Sequence, residues 1–231
     1  VNEDRSVFDL PTRIPDETWT YGGDPDQVAD LFGKPAPHPL VLIHGGYWRP
    51  PWDRTSLRPL AGALADAGYM VVSLEYRRIP GNPDAMVEDI ANALNALAAE
   101  EVTLIGHSAG GHLALWAAAN IAKVKRVIAL APVSDLQMTQ DLDLDNGAAR
   151  DFLGCAASER PDLDPMKLSY PNTEIITIQG DQDIRVPVEM NRRFSQQHPK
   201  VKYLEYSGIG HFEVIDPTKS IVLRVIQADE V

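Results

Sequence analysis

Gly106-His107-Ser108-Ala109-Gly110 sets a serine between two glycines at G-x-S-x-G spacing. That spacing has a steric purpose. A serine on the tight turn between a strand and a helix stands clear of the sheet, and small flanking residues let neighbouring backbone approach it. The flanks suit such a turn: Val102 to Ile105 reads as an apolar strand and Ala109 to Asn120 as a helix. A hydroxyl is a poor nucleophile at neutral pH, so a reacting serine needs a base and a third group that orients the base. The chemistry expected at Ser108 is attack on a carbonyl carbon.

In this arrangement the partners follow in the order serine, acid, histidine. Ile178-Gln179-Gly180-Asp181-Gln182-Asp183 follows one apolar strand, and Ser207-Gly208-Ile209-Gly210-His211-Phe212 follows the next. Loops at the carboxyl ends of parallel strands share one edge of the sheet, so both would arrive beside Ser108. Two aspartates compete for the acid. Asp181 is nearer the strand end and suits a turn residue bonding its own backbone. Asp183, two residues further on, is preferred for the triad, with His211 as base.

Five other histidines compete with His211. His107 and His112 belong to the serine's turn and helix, where packing roles are expected; His38 and His198 read as solvated loop residues, and His44 belongs to a glycine turn. No pair has helical zinc spacing and Cys155 is the single thiol, so neither a catalytic metal nor a cofactor is expected. Cys155 reads as a small hydrophobe or an idle thiol. With one cysteine no intramolecular disulfide can form, which fits a reducing compartment.

A developing oxyanion needs donors. His44-Gly45-Gly46-Tyr47-Trp48 follows the first strongly apolar strand, where HGGG-type loops present backbone N–H groups, and the N–H of Ala109 is expected to point at the same spot.

The elements that must position these groups are legible as alternating strands and helices. Apolar runs at Pro39 to His44, Tyr69 to Glu75, Val102 to Ile105, Val127 to Leu130, Glu174 to Gln179 and Val201 to Tyr206 suit strands covered on both faces. Leu57, Leu60, Ala61 and Leu64 share one helical face, with Gly68 placed as its cap. Val87, Ile90, Leu94 and Leu97 share another, opened by Asn82 as N-cap and Pro83 at the first helical position. Asp216-Pro217 is expected to open a last helix with Ile221, Val222 and Val225 inward. The pattern predicts an α/β fold with a mainly parallel central sheet and helices on both faces. Residues 134–172 break the alternation. This acidic excursion, with a short helix expected over Gly147 to Leu153, is either a small lid or loose surface structure.

With 231 residues, 44% of them hydrophobic and 23% charged, the chain suits one compact domain, 1–231, and not a disordered segment. A net charge of −12 disfavours nucleic acid and anionic membranes as partners. Val1 to Pro11 carries no apolar signal core, and no run is long enough to span a bilayer. Cytoplasmic location is the default expectation, with a small-molecule substrate and a monomer or homodimer. The absence of an initiator methionine leaves open an upstream segment that has been removed.

His44-Gly45-Gly46-Tyr47-Trp48 together with Gly106-His107-Ser108-Ala109-Gly110-Gly111-His112-Leu113 resembles the kynurenine formamidase (arylformamidase) branch of the α/β-hydrolase superfamily. Tyr21-Gly22 and Gln27-Val28-Ala29-Asp30-Leu31 are similar to that branch as well, so the resemblance covers essentially the whole chain. General esterases share these motifs, which therefore specify the superfamily more closely than the branch. The resemblance implies an α/β-hydrolase fold, with Ser108 as nucleophile, Asp183 as orienting acid and His211 as base. It implies oxyanion donors at Gly46, Tyr47 and Ala109. It also implies hydrolysis of an N-formyl anilide, N-formyl-kynurenine, to formate and the free arylamine, with small aryl esters often cleaved too. Tyr47 stands where related esterases often have a third glycine, which fits the formamidase branch and narrows the pocket. Tyr47, Trp48 and Trp52 would either wall in an aryl substrate or serve ordinary packing; Trp48 and Trp52 are the expected substrate-binding residues. A carboxylesterase acting on short-chain or aryl esters is the nearest alternative. A ligand receptor on a hydrolase scaffold is more remote, because such receptors usually lack a triad member.

Overall fold

A computed structural model describes residues 3–228. The six strands expected from apolar runs form as β3 (Leu40–Ile43), β4 (Val71–Leu74), β5 (Val102–His107), β6 (Val124–Leu130), β7 (Glu174–Gly180) and β8 (Lys202–Tyr206), all parallel. Two further strands, β1 (Glu17–Thr20) and β2 (Val28–Phe32), extend the sheet antiparallel at the β4 edge. The order is β1-β2-β4-β3-β5-β6-β7-β8. Neither added strand was expected, for a physical reason. Three of the four β1 residues are exposed at the sheet edge, and β2 carries the buried Asp30, which pairs with Arg54 and Arg58 at 3.1 and 3.0 Å. An aspartate in the middle of a strand hides its apolar pattern.

Alternation along the parallel strands feeds two cores. Val41 and Ile43 face the core shared with α2 (Pro83–Ala96), α3 (Ala109–Asn120) and α6 (Val188–Gln197). Leu40 and Leu42 face the other, shared with α1 (Arg58–Asp66) and α7 (Ile221–Gln227). Helices thus cover both faces, as a two-sided apolar sheet requires.

Three helix ends differ from expectation. Asn82 holds the N-cap position and Pro83 opens α2 as expected, but the Asn82 side chain makes no capping bond. Leu97 lies just past the end of α2 and packs half-buried on the core. Asp216 accepts N–H from Thr218 at 2.8 Å but caps a separate 3-10 turn, Pro217–Lys219, before α7 begins at Ile221.

The 134–172 excursion is folded. It contains α4 (Leu136–Asp141), α5 (Ala148–Leu153) and two 3-10 turns, and Leu136, Phe152, Leu153 and Leu163 join the α2–α3 core. No helix among the described residues is long and apolar enough to cross a membrane.

Candidate active site

The turn at Ser108 is built by close packing. Ser108 sits between β5 and α3 at φ 56° and ψ −119°, in the region that costs a non-glycine residue strain. Its N–H donates to Leu130 at 2.8 Å, and its carbonyl accepts N–H from His112 at 3.1 Å and Val133 at 3.2 Å. These bonds tie the strained residue to β6 and α3. A Cβ at Gly110 would stand 2.1 Å from the Ile43 carbonyl oxygen, so only glycine lets α3 start this close to β3.

The candidate acid and base arrive on the loops after β7 and β8. His211 Nδ1–H donates to Asp183 Oδ2 at 2.7 Å, and both side chains are buried. Asp183 also accepts from the backbone of Arg185 and Val186 and from Gln179 Nε2, at 2.8 to 2.9 Å. Burial pushes its carboxyl upward, but His211 and those N–H donors outweigh it and hold the group below the usual aspartate range. Asp181 instead accepts from Ser207 Oγ and the Gly208 N–H at 2.8 and 2.7 Å, bridging the β7 and β8 loops at the surface. His107 Nε2–H donates to the His211 carbonyl at 3.0 Å, fixing the His211 backbone. Burial, reinforced by the neighbouring His211, depresses the His107 ring to about 3 and keeps it neutral.

The candidate oxyanion loop has positive φ at three successive residues, a conformation that strains Tyr47 and Trp48 but not Gly46. Gly46, Tyr47 and Trp48 have φ of 112°, 48° and 58°, and a Cβ at Gly46 would fall 2.4 Å from Trp52 Cβ. Anchors hold the strain. Tyr47 Oη donates to the Arg185 carbonyl at 2.7 Å, and Trp48 stacks on Phe152 at 4.4 Å between ring centroids. Below the loop, His44 Nδ1 lies 2.8 Å from the Gly45 carbonyl oxygen and Nε2 lies 2.9 Å from Glu75 Oε1. Glu75 is pushed up by burial, yet His44, Arg78 and the Arg54 N–H together draw its carboxyl down to about 2.

Ser108, His211, Gly46 and Tyr47 line one cavity of about 190 Å³, with Trp52, Phe8 and Phe212 as its aromatic wall. Ala109 is buried behind Ser108; as the first residue of α3 its N–H has no acceptor one turn earlier and is available to a ligand. Trp48 does not line this cavity. Only 3% exposed, it packs on Phe152 and His112, away from the wall on which it was expected to meet substrate. His198 is half-buried against Tyr170 and Phe194 instead of solvated. Among the lining residues that were not anticipated are Phe8 from the N-terminal segment, Asp145 from the excursion and Arg185 from the loop that carries Asp183. Arg185 alone had a signal, lying two residues after Asp183.

This fold and cavity define a hydrolase class. Residues 40–208 match the alpha/beta hydrolase family, and the chain belongs to it. It is 34% identical over 90 residues to Probable carboxylic ester hydrolase LipM of Mycobacterium tuberculosis, covering 34% of this chain and 21% of that protein. It is 33% identical over 103 residues to the kynurenine formamidase of Meyerozyma guilliermondii, covering 41% of this chain and 39% of that protein. Each match therefore spans well under half the length of the curated relative. The crystal structure of esterase B from Lactobacillus rhamnosis, inhibited by a tributyrin phosphonate, superposes with a TM-score of 0.77. It covers 96% of this chain and 88% of that one at 18% identity, a likeness of fold alone.

Proposed function

We propose that the chain is a serine hydrolase that cleaves a small aryl formamide of the N-formyl-kynurenine type through an acyl-enzyme. Ser108 Oγ attacks the formyl carbon while His211 Nε2 takes its proton, and Asp183 holds the ring and stabilises the imidazolium. The carbonyl oxygen becomes an oxyanion facing the N–H groups of Gly46, Tyr47 and Ala109, each such donor worth about 3 kcal/mol to the barrier. Collapse breaks the C–N bond, and the leaving arylamine receives the proton from His211. Water then attacks the formyl ester, its proton passing to His211 and on to Ser108 Oγ, and formate departs. In this reading 134–172 belongs to the same catalytic domain and reaches the cavity rim through Asp145.

The observation that carries the reading is one cavity lined by Ser108 and His211, with Asp183 bonded to the far nitrogen of His211. Its small volume favours a short acyl group on an aryl leaving group. A carboxylesterase acting on short-chain or aryl esters is the second reading, supported by the similarity to the Mycobacterium tuberculosis ester hydrolase.

Formate release from N-formyl-kynurenine, run beside hydrolysis of phenyl acetate, separates the two. Formamide cleavage that disappears in Ser108→Ala is the expected result. Ester cleavage without formate release rejects the formamidase, and a folded wild type that neither turns over nor takes a fluorophosphonate at Ser108 rejects the serine hydrolase.

A further inference from the structure

In a chain of net charge −12, one guanidinium is brought to the cavity on the loop that carries the acid. Arg185 is fixed from both sides. Its N–H donates to Asp183 Oδ1 at 2.8 Å and its carbonyl accepts Tyr47 Oη at 2.7 Å, so its backbone is tied to both the acid and the oxyanion loop. The guanidinium lies 5.2 Å from the Phe212 ring centroid. Nε and Nη2 donate to the two oxygens of Glu3 at 2.5 and 2.8 Å, while Nη1 makes no bond among the described residues.

Arg185 shares its carboxylate partner and also feels the charge of Asp145. Glu3 is shared with Arg5, 3.1 Å away, whose guanidinium lies over Trp52 and Phe212 at 5.8 and 5.2 Å. Two guanidiniums thus share one carboxylate. The other charges lining the cavity, Arg49 and Asp145, pair with each other at 2.9 Å, and Arg49 also binds Asp151. Arg185 Nη1 is the donor left to meet a ligand, and a guanidinium edge is matched in shape and charge to a carboxylate.

We propose that Arg185 Nη1 receives a carboxylate on the substrate while Phe8, Trp52 and Phe212 hold its aryl body. The preferred substrates are then anionic aryl formamides and esters, and Glu3 is a built-in competitor for the same guanidinium. This rests on the hydrolase reading above for the reaction, but not for the binding.

Calorimetric binding of 3-hydroxybenzoate and 3-hydroxybenzamide reads the recognition without chemistry. The wild type is expected to bind the anion at least about tenfold more tightly, the range of one charge-assisted hydrogen bond, with the preference shrinking in high salt. Arg185→Gln should abolish the preference, and Glu3→Gln should enlarge it. A merely structural Arg185, anchoring the N-terminal segment through Glu3, predicts that both variants lower it together. Equal binding of the two ligands by wild type, or loss of preference in Glu3→Gln, overturns the proposal. Hydrolysis of 3-acetoxybenzoate and 3-acetoxybenzamide keeps the two claims apart. Preferential binding by a wild type that cleaves neither ester and takes no fluorophosphonate at Ser108 removes the hydrolase and leaves the recognition. Cleavage of both with no preference in binding does the reverse.

Discussion

The indole N–H of Trp48 donates to Nδ1 of His112 at 3.2 Å, tying the candidate oxyanion loop to the helix that begins at the candidate nucleophile. His112 in turn donates from Nε2 to the Leu163 carbonyl at 2.9 Å. One neutral imidazole, accepting on one nitrogen and donating on the other, therefore joins the loop, α3 and the 134–172 excursion. Trp48, at φ 58°, cannot relax without breaking this bond and its stacking on Phe152.

Trp48→Phe keeps most of the ring contact and removes the hydrogen bond. Urea unfolding should show a loss of about 1 kcal/mol, and kcat should fall several-fold with KM little changed, because the donors at Gly46 and Tyr47 lose their support. Trp48→Ala should cost about 3–5 kcal/mol by leaving a cavity in the core. A Trp48→Phe variant with altered KM and unchanged kcat would instead make Trp48 a substrate contact.

The two aspartates of one loop should separate cleanly. Asp183→Asn leaves His211 without the carboxylate that orients it, and kcat should fall by about 10³- to 10⁴-fold. Asp181→Asn perturbs only the surface bridge to Ser207 and Gly208, so kcat should stay within about threefold while Tm drops slightly. Steady-state kinetics of the pair decide the assignment, and equal losses would refute it.

Acid should destabilise the fold well before its carboxylates titrate. Burial, the largest influence on both rings, depresses His107 to about 3 and His112 to about 4, against 6.5 for a free imidazole. Between those values the unfolded chain binds protons that the folded one refuses. The stability is fully present above pH 6.5 and is lost as pH falls toward 4 and then 3. From pH 7 to 5 the loss should be about 2 kcal/mol for each ring, read from urea midpoints. His112→Gln should flatten about half of the slope; an unchanged midpoint across that range would show that neither ring is held neutral.

Several features were legible because they depend on neighbours in the chain. Apolar runs mark β3 to β8 wherever a strand is covered on both faces, and small residues around Ser108 mark a turn that backbone must approach closely. Chain order also placed Asp183 and His211 after successive strands, and parallel strands deliver their loops to one edge. β1 and β2 escaped notice because edge exposure and the buried Asp30 break the period on which strand reading depends.

What only the tertiary structure decided is which side of each residue faces the cavity. Trp48 and Trp52 sit four residues apart in one aromatic stretch, yet three consecutive positive-φ residues turn the first into the core and leave the second on the cavity wall. Phe8 reaches that wall from the far end of the chain, and Arg185 gains its position from bonds to Asp183 and Tyr47 that no local pattern encodes. Residue type and spacing determine the chemistry this chain can attempt. The shape and charge of the space around it arise from contacts between segments distant in sequence, which exist only once the chain has folded.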